Sequence, residues 1–228
     1  MTSEQSISCV GIIMDGNRRW ARERGVPTFE GHRAGYNTLV QAIGWARSLG
    51  IPHLVAYAFS TENWQRTEEE VGYLMKLFRF VLENEGKRMV KDRIRVRFIG
   101  DRTRFSEDFQ RGIENMETLT GETYEITLHL AVSYGGRAEI LTATNACIFE
   151  HRNIVSEEEF SKKLWSHPMP DPDLIIRTGG EQRLSGFLPW QSIYSELFFV
   201  KTLWPDFSRT EFDGIIEEFN TRARRHGI

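Results

Sequence analysis

Asp15-Gly16-Asn17-Arg18-Arg19 stands directly after the apolar run Val10–Met14. A buried strand that ends on a carboxylate delivers that charge to a fixed place. Gly16 and Asn17 readily form turns whose backbone N–H groups converge on an anion. Arg18 and Arg19 add planar guanidinium groups suited to phosphate oxygens. Asp15 would repel a phosphate unless a divalent cation lay between them, so the pattern predicts Mg²⁺ bridging Asp15 to a phosphate. A second group of similar chemistry, Arg177-Thr178-Gly179-Gly180 with Arg183 and Ser185, follows the apolar run Leu174–Ile176. Two arginines and a hydroxyl on a glycine-bearing loop predict a second phosphate pocket. Neither segment is a Walker loop, and no Gly-x-Gly-x-x-Gly opens a helix, so dinucleotide binding is unsupported. Two phosphate pockets and one metal carboxylate suit a transferase that joins two phosphorylated substrates.

Other residues carry less weight by themselves. Asn63, Trp64 and Arg66 leave a second apolar run, His53–Phe59. Trp64 reads as core packing or, beside a phosphate pocket, as an aromatic that shields an allylic cation. His32, in the first turn of a helix, reads as a structural cap or as part of the site near Asp15. Glu196 is a lone acid ahead of the last apolar run.

The elements that must position these residues alternate along the chain. Strands are expected at Cys9–Met14, His53–Phe59, Ile94–Ile99, Tyr124–Val132, Leu174–Ile176 and Leu197–Val200. Helical periodicity runs from Gly31 to a cap at Gly50, and from a Thr67/Glu70 capping box along Val71, Leu74, Phe78, Val81 and Met89. Further helices are expected over Phe105–Leu119 and Ala138–Glu150, and from capping boxes at Ser156/Glu159 and Ser208/Glu211. This alternation predicts one α/β domain spanning the whole chain, its six-stranded, mostly parallel sheet flanked by helices. In such sheets the ligand crevice lies beyond the carboxyl ends of the strands. Asp15–Trp20, Ser60–Arg66, Ser133–Arg137 and Arg177–Ser185 all fall there.

The totals exclude several classes. A net charge of −3 over 228 residues does not describe a chain held to nucleic acid by bulk electrostatics. Cys9 and Cys147 lack metal-ligand spacing and read as free thiols of a reducing compartment. Met1–Ser8 is too short and polar for a signal peptide, and no apolar run is long enough to cross a bilayer. The expectation is a cytoplasmic protein that a lipid-like substrate or product can bring to a membrane surface.

The chain resembles the cis-prenyltransferases from Val10 to Arg225. The resemblance rests on Ile12-Ile-Met-Asp-Gly-Asn17, Gly31-His32, Ala58-Phe-Ser-Thr-Glu-Asn-Trp-Gln-Arg66, Phe98-Ile-Gly-Asp101, Tyr134-Gly-Gly-Arg137, Ile176-Arg-Thr-Gly-Gly-Glu-Gln-Arg183, Trp190-Gln191, Glu196 and Trp204-Pro-Asp-Phe207. It implies a homodimer with a hydrophobic tunnel, and a Mg²⁺-dependent condensation of isopentenyl diphosphate with an allylic diphosphate to give cis (Z) products. Asp15 and Glu196 would hold the metal. Gly16, Asn17, Arg18, Arg19 and His32, with Trp20 beside them, would bind the allylic diphosphate. Arg177, Arg183 and Ser185, with Leu184 between, would take isopentenyl diphosphate. Ser60, Thr61, Glu62, Asn63, Trp64 and Arg66 would close over the reacting carbons, with Asn63 as a weak proton acceptor.

The departures from the family pattern are Cys9, Arg18, Thr28 (where an arginine is common) and Ser133. Val132 is expected to narrow the tunnel and shorten the product to short or medium length. Two alternatives share the fold: a head-to-middle synthase making branched, lavandulyl-type diphosphates, and a non-catalytic regulatory subunit. Asp15 argues against the latter.

Overall fold

The computed structural model describes residues 6–150 and 155–222. Arg225 and the first five residues of the amino-terminal segment discussed above lie outside them.

Six strands form one sheet: β1 (Cys9–Ile13), β2 (His53–Ser60), β3 (Ile94–Ile99), β4 (Ile126–Tyr134), β5 (Leu174–Arg177) and β6 (Glu196–Phe199). Their order is β3-β4-β2-β1-β5-β6, and every neighbouring pair is parallel. The expectation of a mostly parallel sheet thus sharpens to a fully parallel one. Parallel strands need crossover connections, which cover both faces and demand apolar residues on both sides. All of β1 and β4 are accordingly buried.

On one face Val10, Ile12, Leu54, Leu128 and Ile176 pack with Leu39, Ile43, Leu74, Ile113, Phe212 and Phe219. Those partners come from α2 (Thr28–Ser48), α3 (Glu68–Asn84), α5 (Glu107–Leu119) and α8 (Arg209–Thr221). On the other face Ile13, Val55, Ala131 and Ile175 meet Met169, Phe187 and Leu188.

The remaining helices are α1 (Asn17–Glu23), α4 (Gly86–Lys91), α6 (Gly136–Phe149) and α7 (Glu157–Ser161). Several boundaries differ from the sequence reading; β4, for one, spans Ile126–Tyr134 rather than Tyr124–Val132. Asn17–Glu23 is a helix rather than an extended turn, and α2 begins at Thr28 rather than Gly31. Met89 belongs to the separate α4. The Thr67 hydroxyl accepts from the Glu70 N–H, but the Glu70 carboxylate turns away to Arg66, so only half of that capping box forms. The Ser156/Glu159 and Ser208/Glu211 boxes both form in full.

From β1 the chain crosses to β2 on one side, whereas from β5 it moves to β6 on the other. The winding therefore reverses between β1 and β5, which is where a doubly wound sheet opens a crevice. Asp15 follows β1 at this point, and Arg177 ends β5 beside it.

Candidate active site

Asp15 is held from two directions. Arg177 donates from Nη2 to Oδ2 at 2.8 Å, and Arg19 from Nη2 to Oδ1 at 3.3 Å. The Thr178 hydroxyl and the Trp204 N–H both donate to its backbone carbonyl, at 2.7 and 3.0 Å. The carboxylate is thus fixed between the loops after β1 and β5 while its side chain stays 30% exposed.

Glycine makes the approach possible. Gly16 sits at φ +116°, and a Cβ there would fall 2.9 Å from Leu203. Gly179 sits at φ +80°, and its Cβ would collide with the Arg19 guanidinium at 2.3 Å. A larger residue would strain the backbone at either position, pressing on Leu203 from position 16 and parting the loops after β1 and β5 from position 179.

Arg177 is 5% exposed and also donates to Ser185 Oγ at 2.9 Å and to the Arg183 carbonyl. The two phosphate-type segments expected as separate pockets therefore meet through one ion pair. Two clefts adjoin there and share Met14, Asp15, Asn17, His32 and Arg66. One, of about 640 Å³, is cationic, with Arg18, Arg19 and Arg22 around Asp15 and Thr28 at its edge. Arg18 and Arg19 fall in the first turn of α1, at the helix's positive end. The other, of about 480 Å³, is bounded by Ser60, Glu62, Asn63, Tyr57, Arg177 and Ser185.

Asn63 contributes its amide oxygen to the Ser60 N–H at 3.1 Å, which leaves that oxygen engaged and a poor proton acceptor. His32 is half-buried where both clefts open onto an apolar cavity, and its Nε2 lies 3.5 Å from the Glu70 carboxylate. Burial lowers its pKa; Arg66 and Arg18 lower it further, against an opposing pull from Glu70.

Beneath His32 the apolar cavity, about 80 Å³, lies between α2, α3 and the sheet. Its wall includes Tyr36, Leu39, Ile43, Leu77, Phe78, Val81, Met89, Val96, Met116, Leu128 and Leu130. The Tyr36 hydroxyl is buried without a hydrogen-bond partner; burial raises its pKa, and the nearby Glu85 carboxylate raises it further.

Several expected site residues point elsewhere. Trp20 donates from Nε1 to Asp206 at 2.8 Å and is covered by Arg24, away from the clefts. Trp64 turns inward, donating to Ser133 Oγ at 3.0 Å and packing on Phe59 and Phe105, so the core reading of this residue holds. Thr61 packs against Gly135, and Leu184 joins the apolar cluster on the second face of the sheet. Arg183 is exposed and paired with Glu181 at the rim. Val132 pairs in register with Phe59 and is not among the residues that line the cavity; Leu128 and Leu130 are.

Glu196 opens β6 and binds Arg222 at 2.7 Å. Its register partner is Leu174, itself level with Val10. At ~3.3 Å per residue and ~4.8 Å per strand, Glu196 is on the order of 19 Å from Asp15, too far to share a metal with it in this chain.

The sequence reading missed Glu70, Arg22, Tyr57 and Tyr36. Glu70 is 12% exposed and faces three cationic or titratable groups: Arg66 at 2.7 Å, His32 at 3.5 Å and Arg18 at 3.7 Å. The Arg66/Glu70 spacing of four was the available signal. Among the described residues no three His, Cys, Asp or Glu side chains gather as a metal cage. Asp15 alone fits Mg²⁺, which characteristically takes one or two carboxylates and completes its shell with substrate phosphates and water.

Fold, strand-end loops and an apolar cavity below two polyphosphate-type clefts define a prenyltransferase architecture. Residues 13–227 match the family model described as putative undecaprenyl diphosphate synthase. The isoprenyl transferase of Fusobacterium nucleatum is 47% identical over 96% of this chain and 94% of its own length. That of Thermotoga maritima is 45% identical over 96% and 95%. Among solved structures, lavandulyl diphosphate synthase of Lavandula x intermedia, in complex with dimethylallyl diphosphate, superposes with a TM-score of 0.92 at 35% identity, covering 98% of this chain and 99% of that one. A probable undecaprenyl diphosphate synthase of Campylobacter jejuni gives 0.84 at 31% identity, covering 98% and 100%. The chain belongs to the undecaprenyl diphosphate synthase family, the cis-prenyltransferases, and is a prenyl-transferring enzyme.

Proposed function

We propose that this enzyme condenses isopentenyl diphosphate with an allylic diphosphate to form linear Z-prenyl diphosphates of short to medium length. The observation that carries this reading is the Asp15–Arg177 pair, which joins a cationic cleft to a second polar cleft directly above an apolar cavity. The allylic diphosphate occupies the cationic cleft, where Arg18, Arg19, Arg22 and Arg66 supply charge and forked hydrogen bonds. Its hydrocarbon tail passes His32 into the cavity. Isopentenyl diphosphate lies in the second cleft against Arg177 and Ser185, with Arg183 turning in from the rim once it leaves Glu181.

Asp15 would hold Mg²⁺, whose chemistry there would be to neutralise charge on the departing diphosphate. Asp15, Arg19 and Arg177 are already fixed by their mutual contacts, so little reorganisation of these groups accompanies ionisation. The double bond of isopentenyl diphosphate then attacks the allylic carbon, and a proton leaves to restore a double bond. Asn63 lies beside that step, but its engaged oxygen makes diphosphate or water the better acceptor.

A cavity of about 80 Å³ is roughly half the ~150 Å³ that accommodates a benzene, so its walls must part to admit even a short hydrocarbon. A homodimer is supported by the exposed apolar residues Leu141, Ile148 and Phe149 of α6, with Ile193 and Tyr194. Among the described residues no helix is long and apolar enough to cross a membrane. Diphosphate release should appear when isopentenyl diphosphate, Mg²⁺ and dimethylallyl, geranyl or farnesyl diphosphate are mixed. It should be absent when either substrate is left out; release from the allylic substrate alone would argue for a hydrolase.

A further inference from the structure

The outward faces of α3 and α4 carry Lys76, Arg79 and Phe80, then Lys87, Val90 and Lys91. Phe80 is 48% exposed and Val90 41%. Between Lys76 and Lys91 the sequence places five cations against two acids, within a chain whose net charge is −3. Arg88 is tied to Glu85 and Asp92. Lys76, Arg79, Lys87 and Lys91 are exposed and have no ion-pair partner among the described residues; the exposed acids beside them include Glu83 and, in the same cleft as Arg79, Asp108, which is paired with Arg111.

The opposite faces of the same two helices, through Leu77, Phe78, Val81 and Met89, form the wall of the apolar cavity. One layer of helix therefore separates a basic, apolar-studded surface from the space assigned to the growing hydrocarbon.

We propose that this α3–α4 face docks the enzyme on an anionic lipid bilayer. The proposal rests on the prenyltransferase reading, because a lipid product must leave the cavity for a membrane. Lysine and arginine stems lie along an apolar boundary while their charges meet anionic headgroups, and phenylalanine and valine enter the interfacial layer. A protein partner fits less well, since protein interface cores are depleted in lysine, whereas here Lys76 neighbours Phe80 and Lys87 and Lys91 flank Val90. Each basic residue near an anionic surface contributes about fivefold to partitioning, so neutralising three removes on the order of 100-fold.

The test is co-sedimentation of the full chain with vesicles of phosphatidylcholine alone, or with about a third phosphatidylglycerol, at low and high salt. Binding is expected only to the anionic vesicles and should fall at high salt. The Lys76→Gln/Lys87→Gln/Lys91→Gln variant should lose it, and Phe80→Ser should weaken it. Thermal melting and turnover in detergent micelles should remain unchanged in both variants, because all four positions are exposed.

Equal binding to both vesicle types, no sedimentation with anionic vesicles, or unchanged binding by the triple variant would overturn the proposal. Salt-sensitive vesicle binding by a chain without turnover would leave the docking face standing and remove the enzymatic reading. Turnover without vesicle binding would do the reverse.

Discussion

Replacing Asp15 by Asn removes one charge and almost no volume, and the surrounding contacts set the size of the effect. Arg177 loses an ionic partner at 2.8 Å but keeps Ser185 and the Arg183 carbonyl, and the Asn amide oxygen can still accept. The 3.3 Å contact with Arg19 weakens as well. A hydrogen bond to a charged group contributes ~1.5–3 kcal/mol, and partial replacement here brings the expected loss of stability to about 1–2 kcal/mol. For a chain of this size that lowers Tm by roughly 2–8 °C. Catalysis should suffer much more. In the proposed mechanism this carboxylate anchors the metal–diphosphate and so would stabilise charge that appears as the leaving group departs, an effect of several kcal/mol. The expected loss in kcat is on the order of 10²–10³-fold at saturating Mg²⁺. Calorimetry and radiolabelled isopentenyl diphosphate turnover measure the two effects separately. An Asp15→Asn enzyme that keeps its Tm and retains turnover within about tenfold of the original would refute the role assigned to this residue.

Three further outcomes follow from particular contacts. Tyr36→Ala should enlarge the cavity and extend the longest product by at least one isoprene unit on thin-layer or mass analysis; an unchanged product distribution would remove Tyr36 as a limit on length. His129, buried on β4 with Nε2 3.1 Å from His53 Nδ1, has its pKa lowered to about 3 by burial, with His53, Arg95 and Arg97 adding to the effect. The unfolded chain binds the proton first, so this contribution to stability is complete above about pH 6.5 and is lost as pH falls toward 3. Thermal melts should show His129→Gln flattening that acid limb, and an unchanged slope would contradict it. Trp20→Phe removes only the exposed bond to Asp206, so kcat and KM for the allylic substrate should stay within about twofold while stability drops by ~1 kcal/mol. A large rise in KM would return Trp20 to the substrate site.

The sequence was most informative where a strand had to end. An apolar run that stops at Asp15, and another that stops at Arg177, can place those charges only at the carboxyl edge of a sheet, and their pairing followed once β1 and β5 proved adjacent. Side-chain direction was not legible in the same way. Trp64 belongs to a loop whose neighbours Ser60, Glu62 and Asn63 bound a cleft, yet the 3-10 turn over Thr61–Gln65 rotates its indole into the core. Trp20 follows Arg19 directly, and the helix formed by Asn17–Glu23 carries it round to Asp206. Glu70 was hidden by its own plausibility as a capping partner: only the fold brings Arg18 and His32 to the carboxylate that Arg66 holds. Glu196 shows the converse, since a family motif names a residue type without stating which end of a strand it occupies.

The central claim is tested most directly by the structure of the first product. Geranyl diphosphate and isotopically labelled isopentenyl diphosphate, incubated with the enzyme and Mg²⁺, should yield a linear prenyl diphosphate whose newly formed double bond is Z by NMR. A branched product, an E double bond at the new unit, or no condensation with any allylic primer would contradict it.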